Sequence, residues 1–215
     1  MKRTTGCRKG PTQMRTRRFL SFAGMVLLIL VAIPSQSFAS TADSRAFMTD
    51  VGNRVLQLLN DRQAPAADRE QQFGKLVVET FDVPRISRFV LGQNWRTATP
   101  DERQQFAQVF QTYLIQTYWS LFSQYSGQSF AATGDQAQSD ALTLVTMQIV
   151  QPAGKPTIKV DWVVRKEGDT LKVIDVSISG VSQVLTYRDE FASFLESNGG
   201  HISALIAELN KRMKA

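Results

Sequence analysis

Apolar and polar positions along this chain change their period once, near the middle. Through the first half they recur at helical spacing. Phe47, Val51, Val55, Leu58 and Leu59 share one side of a helix that ends near Asn60, ahead of Ala64-Pro65. Phe73, Leu76 and Val77 mark a second helix from about Asp68 to Thr80. Asp82-Val83-Pro84 opens a short third one through Ile86, Phe89 and Val90, and Gly92 suits its C-terminal cap. In Thr99-Pro100-Asp101-Glu102, Thr99 can cap, Pro100 suits the first helical position and Glu102 completes a reciprocal capping box. The helix predicted from there to about Tyr125 carries two stripes. Phe106, Val109, Phe110, Tyr113, Leu114, Thr117 and Leu121 make a broad one, and Ile115, Trp119 and Phe122 lie nearly opposite. Such a helix is packed on two sides.

The second half alternates with period two. Gln128–Thr133, Ala141–Val150, Thr157–Lys166 and Thr170–Ser179 read as strands, with Glu167-Gly168-Asp169 as a hairpin turn. Ile158, Val160, Trp162 and Val164 point one way, and Lys159, Asp161, Val163 and Arg165 the other, mostly polar, way. Consecutive strands joined by short turns imply an antiparallel sheet with one face covered. Thr186 is the expected cap of a helix through Phe191, Phe194 and Leu195, stopped by Asn198-Gly199-Gly200, and an amphipathic helix from Ile202 to about Met213 follows. The fold class is therefore α+β: a mostly antiparallel sheet of about four to five strands, packed with N-terminal and C-terminal helices.

Charge changes the picture at the N-terminus. Seven of the 25 Lys/Arg lie within the first 39 of 215 residues, where there is no Asp or Glu, which leaves 18 against 19 acidic residues in 40–215. The basic character belongs to the leader, so nucleic-acid binding is not implied. Residues 1–39 read as a cleavable signal peptide: a basic start, an apolar stretch Phe19–Ile33, a break at Pro34, and small residues at Ser37 and Ala39 before Ser40. The apolar stretch is 15 residues long, short of the roughly 20 that span a bilayer. Residues 40–215 contain no Cys, which suits an oxidising compartment where no stray thiol can misreact.

Catalytic chemistry has few candidates. One Cys and one His exclude a disulfide framework and the usual zinc spacings, and no phosphate-binding glycine loop or hydrolase elbow occurs. His201 follows Gly199-Gly200 at a helix start and reads as a cap or surface residue. Asp161 and Asp175 could pair across a hairpin, although charged outward-facing positions beside Lys159 and Arg165 are the plainer reading. No catalytic residue, metal ligand or cofactor is expected. Aromatic residues are dense, and two readings stay open: a well-filled core, or an apolar cavity between the two-stripe helix and the sheet.

The segment Val90-Leu91-Gly92-Gln93-Asn94-Trp95-Arg96-Thr97-Ala98-Thr99-Pro100-Asp101-Glu102-Arg103 resembles the MlaC family, the toluene-tolerance auxiliary proteins. The likeness continues in Phe110-Gln111-Thr112-Tyr113-Leu114, Tyr125-Ser126-Gly127-Gln128-Ser129-Phe130, Val160-Asp161-Trp162 and Gly180-Val181-Ser182. It covers essentially residues 43–212, so 40–215 is expected to form one MlaC-like lipid-binding domain. Phe191-Ala192-Ser193 with Asn198-Gly199-Gly200 looks closer to the hopanoid-associated HpnM branch.

The resemblance implies a periplasmic carrier of phospholipid, or of a hopanoid-type lipid, whose sheet and helices enclose the acyl chains. Its implied partners are an inner-membrane ABC transporter with an MCE-domain subunit and an outer-membrane lipoprotein–porin complex, and its implied role is outer-membrane lipid asymmetry. A ligand-free envelope adaptor and, less favoured, a small enzyme on the same scaffold are the competing classes. Within this frame Phe110, Tyr113 and Leu114 on the helix, with Val160, Trp162 and Val164 on the strand, are expected to line the lipid. Trp95 and Arg96 are expected either to be structural or to border the entrance or a partner surface.

Overall fold

The computed structural model describes residues 36–122, 127–152 and 155–214. The expected leader falls almost wholly outside them, as does Tyr125, where the long helix was expected to end. Helix α1 (Gln36–Asn60), α2 (Ala66–Thr80) and α3 (Val83–Leu91) come first, then a single turn α4 (Asn94–Thr97) and the long α5 (Pro100–Phe122). Strands β1 (Ser129–Ser139), β2 (Leu142–Val150), β3 (Ile158–Glu167), β4 (Thr170–Ile178) and β5 (Val181–Ser182) form one antiparallel sheet in sequence order. Helices α6 (Gln183–Ser197) and α7 (Ile202–Arg212) close the described part.

Local chemistry explains most boundaries. Asp82 caps α3 by accepting from Arg85 N at 3.1 Å, and Gly92 ends it with φ of 55°, a left-handed value that a side chain would strain. The α5 capping box is present in both directions: Glu102 N donates to Thr99 Oγ1 at 3.2 Å and Thr99 N donates to Glu102 Oε2 at 2.9 Å. Those bonds from Thr99 hold the exposed Glu102 carboxyl below its usual range. Gly168 turns the β3–β4 hairpin at φ of 60°.

The structure departs from the sequence reading in four places. β1 runs six residues past Thr133 because it keeps pairing with β2 through two register shifts. α4 and β5 are too short to leave a periodic trace. The α6 cap is Ser182, whose Oγ accepts from Leu185 N at 3.1 Å, whereas Thr186 donates its hydroxyl back to the Ser182 carbonyl at 2.7 Å. Leu121, assigned to the broad α5 stripe, is 59% exposed because that stripe outruns its partner helices.

Helix α5 is packed on two sides, as its stripes require. Phe106, Phe110 and Leu114 enter an apolar cluster with α3, α6 and α7, while Trp119, with Ile115 and Phe122 beside it, packs with Phe73 and Val77 of α2 and Leu59 of α1. A third cluster lies between α1 and the sheet, built from Met48, Val51, Val145, Met147, Val164 and Val173. There Gly52 leaves the α1 backbone bare, and a methyl group at that position would overlap the far edge of the Phe130 ring.

Candidate functional site

The three apolar clusters meet at one side chain. Phe81 is half-buried in the link between α2 and α3 and packs against all of them. Backbone bonds fix it there: residue 81 bridges Val173 of β4, and Asp82 N donates to the Val173 carbonyl at 3.0 Å. Lys172 of the same strand donates its ammonium to the Val78 carbonyl at 3.2 Å, closing the C-terminus of α2. The Phe81 ring lies 6.3 Å from that of Trp162, centroid to centroid. Trp162 Nε1 is shielded from solvent and has no acceptor among the described residues, a costly state for a donor.

The six expected wall residues occupy both sides of this joint without forming one continuous wall. Phe110 is fully buried, with the rings of Phe106, Tyr187 and Phe191 at 5.5, 5.5 and 5.6 Å. Tyr113 stands edge-on to Tyr187 at 6.2 Å, and Leu114 belongs to the same cluster. Val164 and Trp162 belong to the α1–sheet cluster. Val160 is buried on the same strand face, opposite Met147. The helix trio and the strand pair Trp162 and Val164 therefore sit in different clusters, and Phe81 is the link. Sequence reading misses this position, since no periodicity marks a residue between two helices.

Polar groups around the joint are satisfied locally. Tyr118 and Tyr187 form a half-buried hydrogen-bonded pair, and desolvation, with Tyr113 nearby, raises both phenols above the ordinary tyrosine range. Tyr113 also hydrogen-bonds Arg212, whose guanidinium pairs with Glu190 and with Glu208 at 3.0 Å; the Glu190 bond raises its pKa against the opposing effect of partial burial. Asp161 and Asp175 do not pair with each other. Desolvation raises the Asp161 carboxyl, but bonds from Thr146 at 2.6 Å and Lys159 at 2.9 Å outweigh it and leave the pKa lowered. Asp175 accepts from Ser182 Oγ at 2.7 Å and Val184 N at 3.2 Å, tying β4 to the start of α6. Both carboxylates are committed to structure. His201 is the N-terminal flanking residue of α7, exposed and without a side-chain capping bond. Among the described residues no His/Cys/Asp/Glu group could hold a metal, and no helix is long and apolar enough to cross a membrane.

Trp95 and Arg96 share the short α4. Trp95 packs half-buried against the α3–α5–α6–α7 cluster, and Arg103 lies 5.4 Å from its ring centre while donating to the Trp95 carbonyl at 2.9 Å. Arg96 is exposed in a groove on the α3–α4–α6 surface.

Known proteins of similar sequence and fold place the chain in a family. The toluene tolerance protein Ttg2D of Pseudomonas putida is 25% identical over 189 residues, covering 84% of this chain and 86% of that protein. The solved phospholipid-binding protein from Ralstonia solanacearum, in complex with a phospholipid, matches with a TM-score of 0.69 at 25% identity, over 79% of this chain and 96% of its own. The MlaC protein family matches residues 49–211, from within α1 to the last turn of α7, and this chain belongs to that family.

Proposed function

We propose that this protein is a periplasmic lipid shuttle, exported by cleavage of residues 1–39, that carries phospholipid between an inner-membrane ABC transporter with an MCE-domain subunit and an outer-membrane lipoprotein–porin complex. Its role in that system is to maintain outer-membrane lipid asymmetry. The acyl tails enter where the apolar clusters adjoin at Phe81, with Phe110, Tyr113 and Leu114 as the helical side and Val160, Trp162 and Val164 as the sheet side. The observation that carries this reading is the joint itself. An interior divided into clusters around one half-buried ring separates there at a lower cost than a single continuous core. The orphaned Trp162 Nε1 would gain an acceptor from a lipid ester. The phospholipid held by the Ralstonia solanacearum protein supports the same cargo.

The energetics need no nucleotide site on this chain. Two acyl tails of roughly 30 methylenes, at about 0.8 kcal/mol each, gain on the order of 25 kcal/mol on leaving water. A bilayer offers almost the same gain, so exchange between membrane and carrier is close to neutral while release into water is forbidden. Direction comes from the partners. Organic extraction of protein purified from the periplasm, followed by mass spectrometry, tests the proposal. Stoichiometric phospholipid and an N-terminus at or near Ser40 are expected. A hopanoid would reassign the cargo, and protein free of lipid would leave an adaptor whose aromatics only fill a core.

A further inference from the structure

The groove that contains Arg96 is distinct from the apolar joint. It holds about 690 Å³, within the usual range for small-ligand sites. Arg85 and Arg88 enter it from α3, Arg96 from α4 and Arg188 from α6, around the rings of Phe89 and Trp95. Arg85 is neutralised by Asp82 at 2.9 Å. Arg88, Arg96 and Arg188 have no carboxylate partner among the described residues. Residues 40–215 carry slightly more acidic than basic side chains, so three unpaired guanidiniums in one concavity are a local concentration of charge, not a reflection of the whole. Like charges gathered this way repel, and an anion relieves the repulsion.

One of the three guanidiniums is seated on the groove's apolar wall. The Arg188 guanidinium lies 4.8 Å from the centre of the Phe89 ring, and a side chain at Gly92 would stand 3.7 Å from its Nε. Phe89 stays 41% exposed beneath it. Trp95 forms part of the groove and also packs on the apolar cluster below, so the groove floor is one side chain away from the interior.

We infer that this groove binds a phosphate oxyanion, carried by the headgroup of an anionic phospholipid or as free phosphate, with Arg88, Arg96 and Arg188 as its donors and Phe89 and Trp95 as apolar support. Guanidinium forks bind tetrahedral phosphate oxygens bidentately, and several forks around one site exceed what a single carboxylate can use. The lipid arm of this inference rests on the carrier reading, to which it adds selection of headgroup charge.

Calorimetric titration of lipid-stripped mature protein with dihexanoyl phosphatidylglycerol, dihexanoyl phosphatidylcholine and inorganic phosphate tests it. Wild type is expected to prefer phosphatidylglycerol by about tenfold or more, an advantage that shrinks as salt rises. Arg88→Ala with Arg188→Ala, both at exposed positions, should erase the preference by weakening phosphatidylglycerol more than phosphatidylcholine, whose phosphodiester the same guanidiniums contact beside a repelled ammonium. Arg88→Lys with Arg188→Lys should restore only part of it, because charge returns without the fork. Phosphate binding that disappears in the alanine variant and does not compete with lipid would identify free phosphate as the ligand. Equal binding of the two lipids in wild type, without phosphate binding, overturns the inference and leaves the carrier reading standing. A preference that survives the alanine variant overturns it as well. If neither lipid binds, the carrier reading fails, and the phosphate titration alone decides the groove. An alanine variant that binds every probe like wild type but no longer transfers lipid to a partner complex would make the groove a surface for an acidic protein segment, and the inference wrong.

Discussion

Replacing Phe81 by Ala separates a joint from a core. A fully buried Phe→Ala change costs about 3–5 kcal/mol. Phe81 is half-buried, which puts its apolar loss nearer 2 kcal/mol, and the lost ring contact with Trp162 at 6.3 Å adds about 0.5–1 kcal/mol. The lipid-stripped protein should therefore lose about 2–3 kcal/mol. In the loaded protein, flexible tails fill the space, and two or three methylenes at about 0.8 kcal/mol each recover most of that. Leu205→Ala is the control: this α7 residue is 1% exposed in the close-packed cluster, and its cost of about 2–5 kcal/mol should be the same with and without lipid. Urea denaturation of both variants and wild type, stripped and loaded at one fixed lipid concentration, gives the four differences; the fixed concentration matters because bound lipid itself raises apparent stability. An equal loss for Phe81→Ala in the two states would refute the claim that tails reach this ring.

Further outcomes follow from the same geometry. An acidic residue at each of Phe110, Tyr113, Leu114, Val160, Trp162 and Val164 in turn, for example Val160→Asp, should yield at least one protein that is folded by circular dichroism yet free of extractable lipid, since a desolvated charge repels the tails; if every variant unfolds or keeps full lipid, the six-residue lining is wrong. Ser182→Ala removes both the α6 cap and a donor to Asp175 and should cost about 1–2 kcal/mol in urea, a loss below about 0.5 kcal/mol arguing that water replaces both bonds. Burial raises Tyr118 and Tyr187 above the value of about 10 that they take when unfolded, so above that pH the unfolded chain releases protons that the native one keeps. Stability contributed by the pair is complete below pH 10 and falls as pH rises beyond it; denaturation at successive alkaline pH values that shows no added slope relative to Tyr118→Phe with Tyr187→Phe would contradict the half-buried pair.

Much of this fold was legible because its signals are local. The Thr99–Glu102 box, Gly92 and Gly168 each act within a few residues, and the two α5 stripes state directly that the helix has two neighbours. What stayed illegible is relational. Period alone shows that Phe110 and Val164 are buried but not that they enter different clusters, and the Phe81 joint depends on a bridge to Val173 from far along the chain. Thr186 looked like a cap because the periodic residues begin after it, whereas Asp175 orients Ser182 for that role from a neighbouring strand. Arg85, Arg88 and Arg188 come from two helices distant in sequence, so only packing places them with Arg96 in one groove.

Sequence-order pairing of β1 through β5 has a consequence for how the molecule assembles. Each hairpin closes a short loop, so the sheet can form by successive neighbouring steps, whereas α1 must return across the whole of α5 to cover it, at a larger loop-closure cost. Docking of α1 onto the sheet is then the late, weakly nucleated step, and its reversal the cheapest partial unfolding. Amides in the centre of β2 and β3 should outlast those of α1 in hydrogen exchange; α1 exchanging as slowly as the central strands would remove this ordering. The last contacts to form in a new molecule are thus the first to yield in a finished one, and a single topology sets both the order of assembly and the order of partial unfolding.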